Sequence, residues 1–280
     1  MYPKHLLITE PIGYRIAYAI NPHMVDVLGQ LNVVDYQKSV DQWNKLKDLY
    51  VALGLTVHSI PGVEAHPDMV FCANQTFPFV NKKGEPCIVL SRMGSEFRQG
   101  EVPFYKNWAD RNGIKTFELQ DGRFEGCGDA LWNYETGEVY GGYGFRTEKQ
   151  IYSALEEIIE RPIHTLHLKD DRFYHLDTCL VILNKNTAAY VPEAFTEDSL
   201  VSIRSKFSDL IRIELDEARH MFAGNAFCPD GKNVVLQKGA DLFVKELRER
   251  SFKVHEMDTS EYMKSGGSVF CMKQLFWNLD

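Results

Sequence analysis

Five times along this chain a helical pattern hands over to an alternating strand, in several places across a glycine or a proline. "SVDQWNKLKDLYVALG" leads into "LTVHSI", "PFYKNWADRNG" into "IKTFEL" and "EKQIYSALEEIIERP" into "IHTLHL". "SLVSIRSKFSD" leads into "LIRIEL", and "ADLFVKELRERS" into "FKVHEM". The first helix carries Val40, Trp43, Leu46, Leu49, Tyr50 and Leu53 on one stripe, with Gly54 where a helix C-cap wants it. The third carries Ile151, Leu155, Ile158 and Ile159. The five strands begin at Leu55, Ile114, Ile163, Leu210 and Phe252, in steps of 59, 49, 47 and 42 residues. Each is followed by a short polar segment and a second strand-like run: "DMVFCAN", "GDALWNY", "DTCLVIL", "GNAFCPD" and "GGSVFCMK". Self-similarity at a near-fixed period marks a fold assembled from copies of one unit. Five helix–strand–loop–strand units predict an α/β domain of quasi-repeated geometry. No linker is long or biased enough to mark a boundary, so one domain over residues 1–280 is expected.

Composition narrows the partners. Of 280 residues, 44% are hydrophobic and 25% charged, which suffices for a large core. Net charge is −8 with no basic block, which argues against nucleic acid and anionic membrane surfaces. The N-terminal "MYPKHLLITEP" has too short an apolar run for a signal peptide, and no run reaches the roughly 18 residues of a membrane span. A cytoplasmic protein is expected; the oligomeric state stays open, a homo-oligomer included. Six scattered cysteines without a C-x-x-C pair read as free thiols in a reducing compartment. His164 and His167 fall on opposite faces of a strand-like segment, so no metal site is expected.

The repeat also shows where chemistry can sit. Counted from the start of each strand, Asp68 and Asn74 fall at offsets 13 and 19, and Glu125 and Asp129 at 11 and 15. His175 and Asp177 fall at 12 and 14, Asn225 at 15, Gly266–Gly267 at 14 and 15, and Cys271 at 19. If the units surround an axis, these residues come from equivalent loops and converge. Loops are polar anyway. These, however, are embedded in apolar, Gly-containing strings such as "FEGCGDA", "YHLDTCL" and "GGSVFC", where a solvated loop has little reason to be apolar.

Read alone, Cys271 is core filler or a nucleophile, and His175 is a core histidine or the base that activates a thiol. Glu125 could orient that base. Acids crowded around a nucleophilic cysteine raise the thiol pKa. They make sense where the substrate's reacting group is a cation, and a guanidinium is planar, permanently charged and gripped bidentately by carboxylates.

At these strings the chain resembles the guanidine-modifying superfamily: arginine deiminases, dimethylarginine dimethylaminohydrolases and amidinotransferases. The resemblance extends to "YAINPHM", "VLSRMGSEFRQGEVPFYKNW" and "YGGYGFRTE", strings similar above all to the arginine dihydrolases. It implies a pseudo-five-fold α/β propeller, in agreement with the five units. It implies Cys271 as nucleophile, His175 as general acid/base and Glu125 as its orienting partner. Asp177, with either Asp68 or Asp129, would hold the guanidinium. Arg92 in "LSRM" and Arg146 in "GFR" look like clamps for the substrate α-carboxylate, although each reads equally as a surface arginine, as Arg98 does. Asn21 and Met24 match the dihydrolase pattern without an assigned role. The deiminases carry Asp where "FCAN" has Asn74, and the dihydrolases carry Asn.

The mechanism implied is attack of the Cys271 thiolate on the guanidinium carbon, loss of ammonia protonated by His175, and hydrolysis of the covalent adduct. Repeating the attack on the ureido product gives ornithine, ammonia and CO2, with neither metal nor organic cofactor. Rivals are hydrolysis stopping at citrulline, release of dimethylamine from a methylated arginine, and a non-catalytic binding protein of the same shape. Asn74 is expected in the substrate pocket, where an amide suits a neutral ureido intermediate better than a carboxylate does.

Overall fold

The computed structural model describes residues 2–277. Its strands form five small sheets, one per expected unit. In four of them a central strand pairs parallel on one side and antiparallel on the other. They are β14-β1-β2 (Gln274–Phe276, His5–Thr9, Thr56–Ile60), β3-β4-β5 (Thr76–Val80, Pro86–Leu90, Lys115–Glu118), β6-β7-β8 (Ala130–Trp132, Val139–Tyr143, Ile163–His167) and β9-β10-β11 (Leu180–Ile182, Thr187–Tyr190, Asp209–Arg212). The fifth sheet has two strands, β12 (Asn233–Gln237) and β13 (Lys253–Met257), and an isolated Phe227–Val235 bridge stands where a third would lie.

A helix makes each parallel crossover: Tyr36–Ala52, Val102–Arg111, Ile151–Ile159, Glu197–Lys206 and Asp241–Glu249. A helix is the usual way to join parallel neighbours. The expected stripes face inward, with Trp43, Leu46 and Tyr50 buried on the first helix and Ile151, Leu155 and Ile159 on the third. Gly54 follows the first helix at φ +81°, the left-handed conformation expected at its end. The five strands read from alternation are β2, β5, β8, β11 and β13, each within one residue of its expected start.

Two features differ from the expectation. The central strands β1, β4, β7, β10 and β12 form the buried middle of the molecule; in β1 every residue is buried. Their runs "HLLIT", "CIVL" and "TAAY" are short and show no period, because both faces are covered. The second runs also do not begin as strands. "PDMV", "GCGD", "LDT" and "AGN" are single helical turns, closed by bonds such as Phe71 N to Asp68 O and Thr178 N to His175 O. Strands follow the first three turns, and only a bridge follows the last. These turns satisfy backbone locally and leave the Asp, Asn and His side chains free to point elsewhere. No helix among the described residues is long and apolar enough to cross a membrane.

Candidate active site

The tight turns between sheets carry Asp68, Asn74, His175 and Cys271 to the lining of one small cavity of about 20 Å³; Glu125 and Asp177 stand outside that lining, hydrogen-bonded to His175 and Cys271. Its lining includes Asp68, Asn74, Arg98, Arg146, His175 and Cys271. Asn21 and Met24 lie over it on a turn of Pro22–Met24. Asn21 caps that turn through Oδ1, which accepts from His23 N, and its Nδ2 donates to Ser265 O at 2.9 Å.

Cys271 is 3% exposed and follows the double glycine. Gly266 has φ +87°, and a Cβ there would stand 2.7 Å from the Tyr174 hydroxyl. A Cβ on Gly267 would stand 2.4 Å from the Phe71 ring. Side chains are therefore excluded at both positions. The Cys271 Sγ donates to Asp177 Oδ2 at 3.1 Å, and Asn225 Nδ2 donates to the same sulfur at 3.1 Å. Asn225 Oδ1 accepts from Ser268 N and Cys271 N, so one buried amide holds the Cys271 turn. Burial, then the neighbouring Asp177 charge, pushes the Cys271 thiol well up. Burial likewise lifts Asp177 to about 7, against the opposing thiol hydrogen bond. The thiol and carboxyl therefore titrate as a coupled pair in which burial disfavours both negative charges.

His175 lies opposite, its Nε2 donating to Glu125 Oε2 at 2.7 Å. Glu125 is fully buried; Oε1 accepts from Gly94 N at 3.0 Å, and Arg146 Nη1 stands 3.5 Å from Oε2. Burial alone would raise this carboxyl. The His175 hydrogen bond and charge outweigh it, with Arg146 and Arg98 adding to them, and hold it well below the usual range. Arg146 also stacks on Tyr174 and donates to Ile20 O at 2.6 Å, tying the covering segment to the His175–Glu125 pair.

Asn74 is 2% exposed. Its Oδ1 accepts from Arg98 Nη1 at 2.9 Å, and its Nδ2 has no partner among the described residues. Asp177 Oδ1 is likewise buried without a partner among the described residues, and the Tyr18 hydroxyl is the hydrogen-bonding group beside Asp68. Burial raises Asp68, and the Arg98 charge opposes the rise.

Three expectations change. Arg92 is exposed and lies outside the cavity: its Nε and Nη1 donate to Gly122 O and Leu119 O, on the wall of a separate cleft of about 760 Å³. Arg98 instead is 4% exposed, lines the cavity and pairs with Glu101 at 2.9 Å. Its i,i+3 spacing to Glu101 on "RQGE" was the available signal. Asp129 is buried but does not line the cavity; its Oδ1 accepts from Leu176 N at 3.0 Å and so braces the His175 turn, leaving Asp68 as the acid that reaches the pocket. Among the described residues no group of three or more His, Cys, Asp or Glu could hold a metal ion.

Fold and site together define a class: an α/β protein with a buried thiol, an imidazole–carboxylate pair and further acids around one closed cavity. Comparison with known proteins gives the family. The profile of eukaryotic N,N dimethylarginine dimethylhydrolases matches residues 17–276. A dimethylarginine dimethylaminohydrolase of Mycobacterium tuberculosis is 36% identical over 96% of this chain and 84% of its own length. The bifunctional arginine dihydrolase/ornithine cyclodeaminase ArgZ of Synechocystis is 34% identical over 95% of this chain, which spans only 37% of that protein. A crystal structure of a variant ArgZ N-terminal domain, covalently bound to a reaction intermediate, superposes with a TM-score of 0.89 at 32% identity, covering 97% of both chains. The chain belongs to the dimethylarginine dimethylaminohydrolase family of guanidine-modifying hydrolases.

Proposed function

We propose that this protein hydrolyses the guanidinium group of arginine through a covalent intermediate on Cys271, with His175 as general acid/base and Glu125 orienting it. The observation that carries this reading is the 3.1 Å hydrogen bond from the Cys271 thiol to Asp177, beside the cavity that His175 and Asp68 line. Two buried acids near a thiol suit a substrate whose reacting group is a cation. A guanidinium gripped by Asp68 and Asp177 favours the thiolate, because a nearby positive charge stabilises an anion.

The Cys271 sulfur then attacks the guanidinium carbon. A C–N bond breaks, and the leaving ammonia takes its proton from His175. Water, deprotonated by His175, attacks the adduct; the C–S bond breaks and a ureido product is left. A second round releases another ammonia and, through a carbamate, ornithine and CO2. Asn74 supports that second round. Arg98 fixes its Oδ1, so its Nδ2 donor is the free end, suited to a ureido oxygen. Arg146, in the cavity wall, is the clamp for the substrate carboxylate, while Arg98, paired with Glu101, holds Asn74 and the Asp68 turn in place. A cavity of about 20 Å³ is far smaller than an amino acid, so the Ile20–Met24 cover lifts for binding. The five sheets, each contributing an equivalent turn, support a closed pseudo-five-fold propeller. Six buried free thiols fit a reducing cytoplasm.

A second reading is hydrolysis of dimethylarginine to citrulline and dimethylamine, favoured by the family profile and the mycobacterial relative. Incubation with arginine, dimethylarginine and other guanidino compounds, with ornithine, citrulline, ammonia and dimethylamine quantified, separates the two. Ornithine and ammonia from arginine is the expected result. Citrulline and dimethylamine alone would establish the second reading, and consumption of none of the compounds would overturn both.

A further inference from the structure

Arg92 lies on the wall of a cleft of about 760 Å³ that shares no lining residue with the Cys271 cavity. Its volume falls within the roughly 300–1,000 Å³ of small-molecule sites. Arg92, Lys106, Arg123, Glu118 and Glu148 supply its charges. Three of these are neutralised locally: Arg123 pairs with Glu148 at 3.1 Å, and Lys106 with Asp110 at 2.8 Å. Arg92 and Glu118 form no ion pair among the described residues. One cation and one carboxylate are therefore left over in a single hollow.

The two are neighbours. Glu118 stands opposite Leu90 in the parallel β4–β5 pairing, two residues before Arg92. The Arg92 guanidinium is fixed to the wall, with Nε donating to Gly122 O at 2.9 Å and Nη1 to Leu119 O, beside Glu118, at 3.4 Å. These bonds leave Nη2 without a partner among the described residues. Met93, Val102, Pro103 and Leu119 add apolar surface to the same lining. A fixed guanidinium, a nearby carboxylate and apolar side chains are the complement of a zwitterion with an aliphatic tail.

We propose that this cleft is a second ligand site, taking an α-amino acid with an aliphatic side chain, its carboxylate on Arg92 and its ammonium on Glu118. Binding there goes beyond the proposed hydrolysis and does not depend on it. The floor of the cleft nevertheless reaches the active site. Ser91 and Gly94 line the cleft; Ser91 Oγ donates to Asn74 O at 2.5 Å, and Gly94 N to Glu125 Oε1 at 3.0 Å. Between them Arg92 and Phe124 exchange both backbone hydrogen bonds, at 2.9 and 3.1 Å. A ligand bridging Arg92 and Glu118 ties this strand end to β5 and steadies the segment that holds Asn74 and Glu125.

The test is calorimetric titration of the full chain with L-leucine, which carries no guanidino or ureido group. Arg92→Ala and Glu118→Gln should each weaken binding by about tenfold or more, the loss of one charge-assisted contact. Isocaproate, which lacks the ammonium, and leucinamide, which lacks the carboxylate, should bind more weakly by a similar factor. Arg92→Gln is the second variant should alanine unsettle the Gly122 turn. Hydrolysis of arginine without added L-leucine should be the same in wild type and variants. L-Leucine should raise kcat/KM in the wild type by about fivefold, the low end of usual coupling between sites, and leave the Arg92 variants unmoved. No binding of L-leucine, or equal binding by the wild type and all variants, would overturn the site. Equal binding of isocaproate would overturn its zwitterionic ligand, and an unchanged or lowered kcat/KM its link to Asn74 and Glu125. Calorimetry does not require turnover. L-Leucine binding through Arg92 in a protein that hydrolyses no guanidino compound would therefore keep the site and remove the proposed function.

Discussion

Glu125 and Asp177 are equally buried, at 0% and 1% exposure, and each is hydrogen-bonded to a titratable residue that lines the cavity, yet they shift in opposite directions. Glu125 has the His175 imidazole at 2.7 Å, a backbone N–H and the Arg146 guanidinium, so its negative charge is held at every working pH. Asp177 has a thiol at 3.1 Å and one oxygen with no partner, so burial dominates and the carboxyl rises to about 7. Depth alone does not set the charge of an acid; the donors around it do. In the proposed mechanism the first acid is the fixed anion that orients His175, and the second is the one whose charge burial disfavours until a cation comes.

The comparison can be broken from either end. Cys271→Ser should remove all measurable turnover while far-UV circular dichroism stays unchanged, since the hydroxyl is nearly isosteric but does not ionise near neutrality. Turnover in the Ser variant would end the covalent account. His175→Ala should lower kcat by about 10²–10⁴-fold, the range for a general acid/base, with the loss read in steady-state ammonia release. Asn74→Asp brings a carboxylate to Arg98 and toward the cavity. With arginine as substrate the product ratio should move from ornithine toward citrulline, and an unchanged ratio would refute the amide's role in the second round.

Asp177→Asn gives the smallest shift and the sharpest sign. The folded state holds the Asp177 proton more tightly than the unfolded chain, whose carboxyl titrates at its ordinary value of 3.8. Between about pH 4 and pH 7 the folded state therefore binds more protons, and wild-type stability falls as pH rises through that window. The Asn variant loses that slope. Its melting temperature should exceed the wild type's by a few degrees at pH 8 and by less at pH 4, although it should be a poor enzyme. A variant less stable than wild type at pH 8 would mean that Asp177 is charged and well satisfied in the folded protein.

The parts legible in the sequence were those with a period. Alternation marked β2, β5, β8, β11 and β13 because one face of each is partly exposed, and 3.6-residue stripes marked the first and third of the five crossover helices. The central strands were not legible, since strands buried on both faces carry no alternation to read. Asp68, Asn74, Glu125, His175, Asp177 and Cys271 were found because they recur at similar offsets in apolar strings, and the structure brings them together. Arg92 and Arg98 could not be told apart from sequence. They lie six residues apart in one polar segment, and it is the Glu101 pairing, the Asn74 amide oxygen and the carbonyls at Asp68 and Phe71 that draw Arg98 inward. Asn225 had the right offset and no chemistry to mark it, because its work is to hold a turn.

The central claim is that chemistry passes through sulfur. Wild-type enzyme mixed with arginine, quenched in acid during steady turnover and digested should give a modified peptide containing Cys271, detected by mass spectrometry. The other five cysteines should be unmodified, and the adduct should decay once substrate is exhausted. Product formation with no adduct on Cys271, or with an adduct on a different cysteine, would contradict the account.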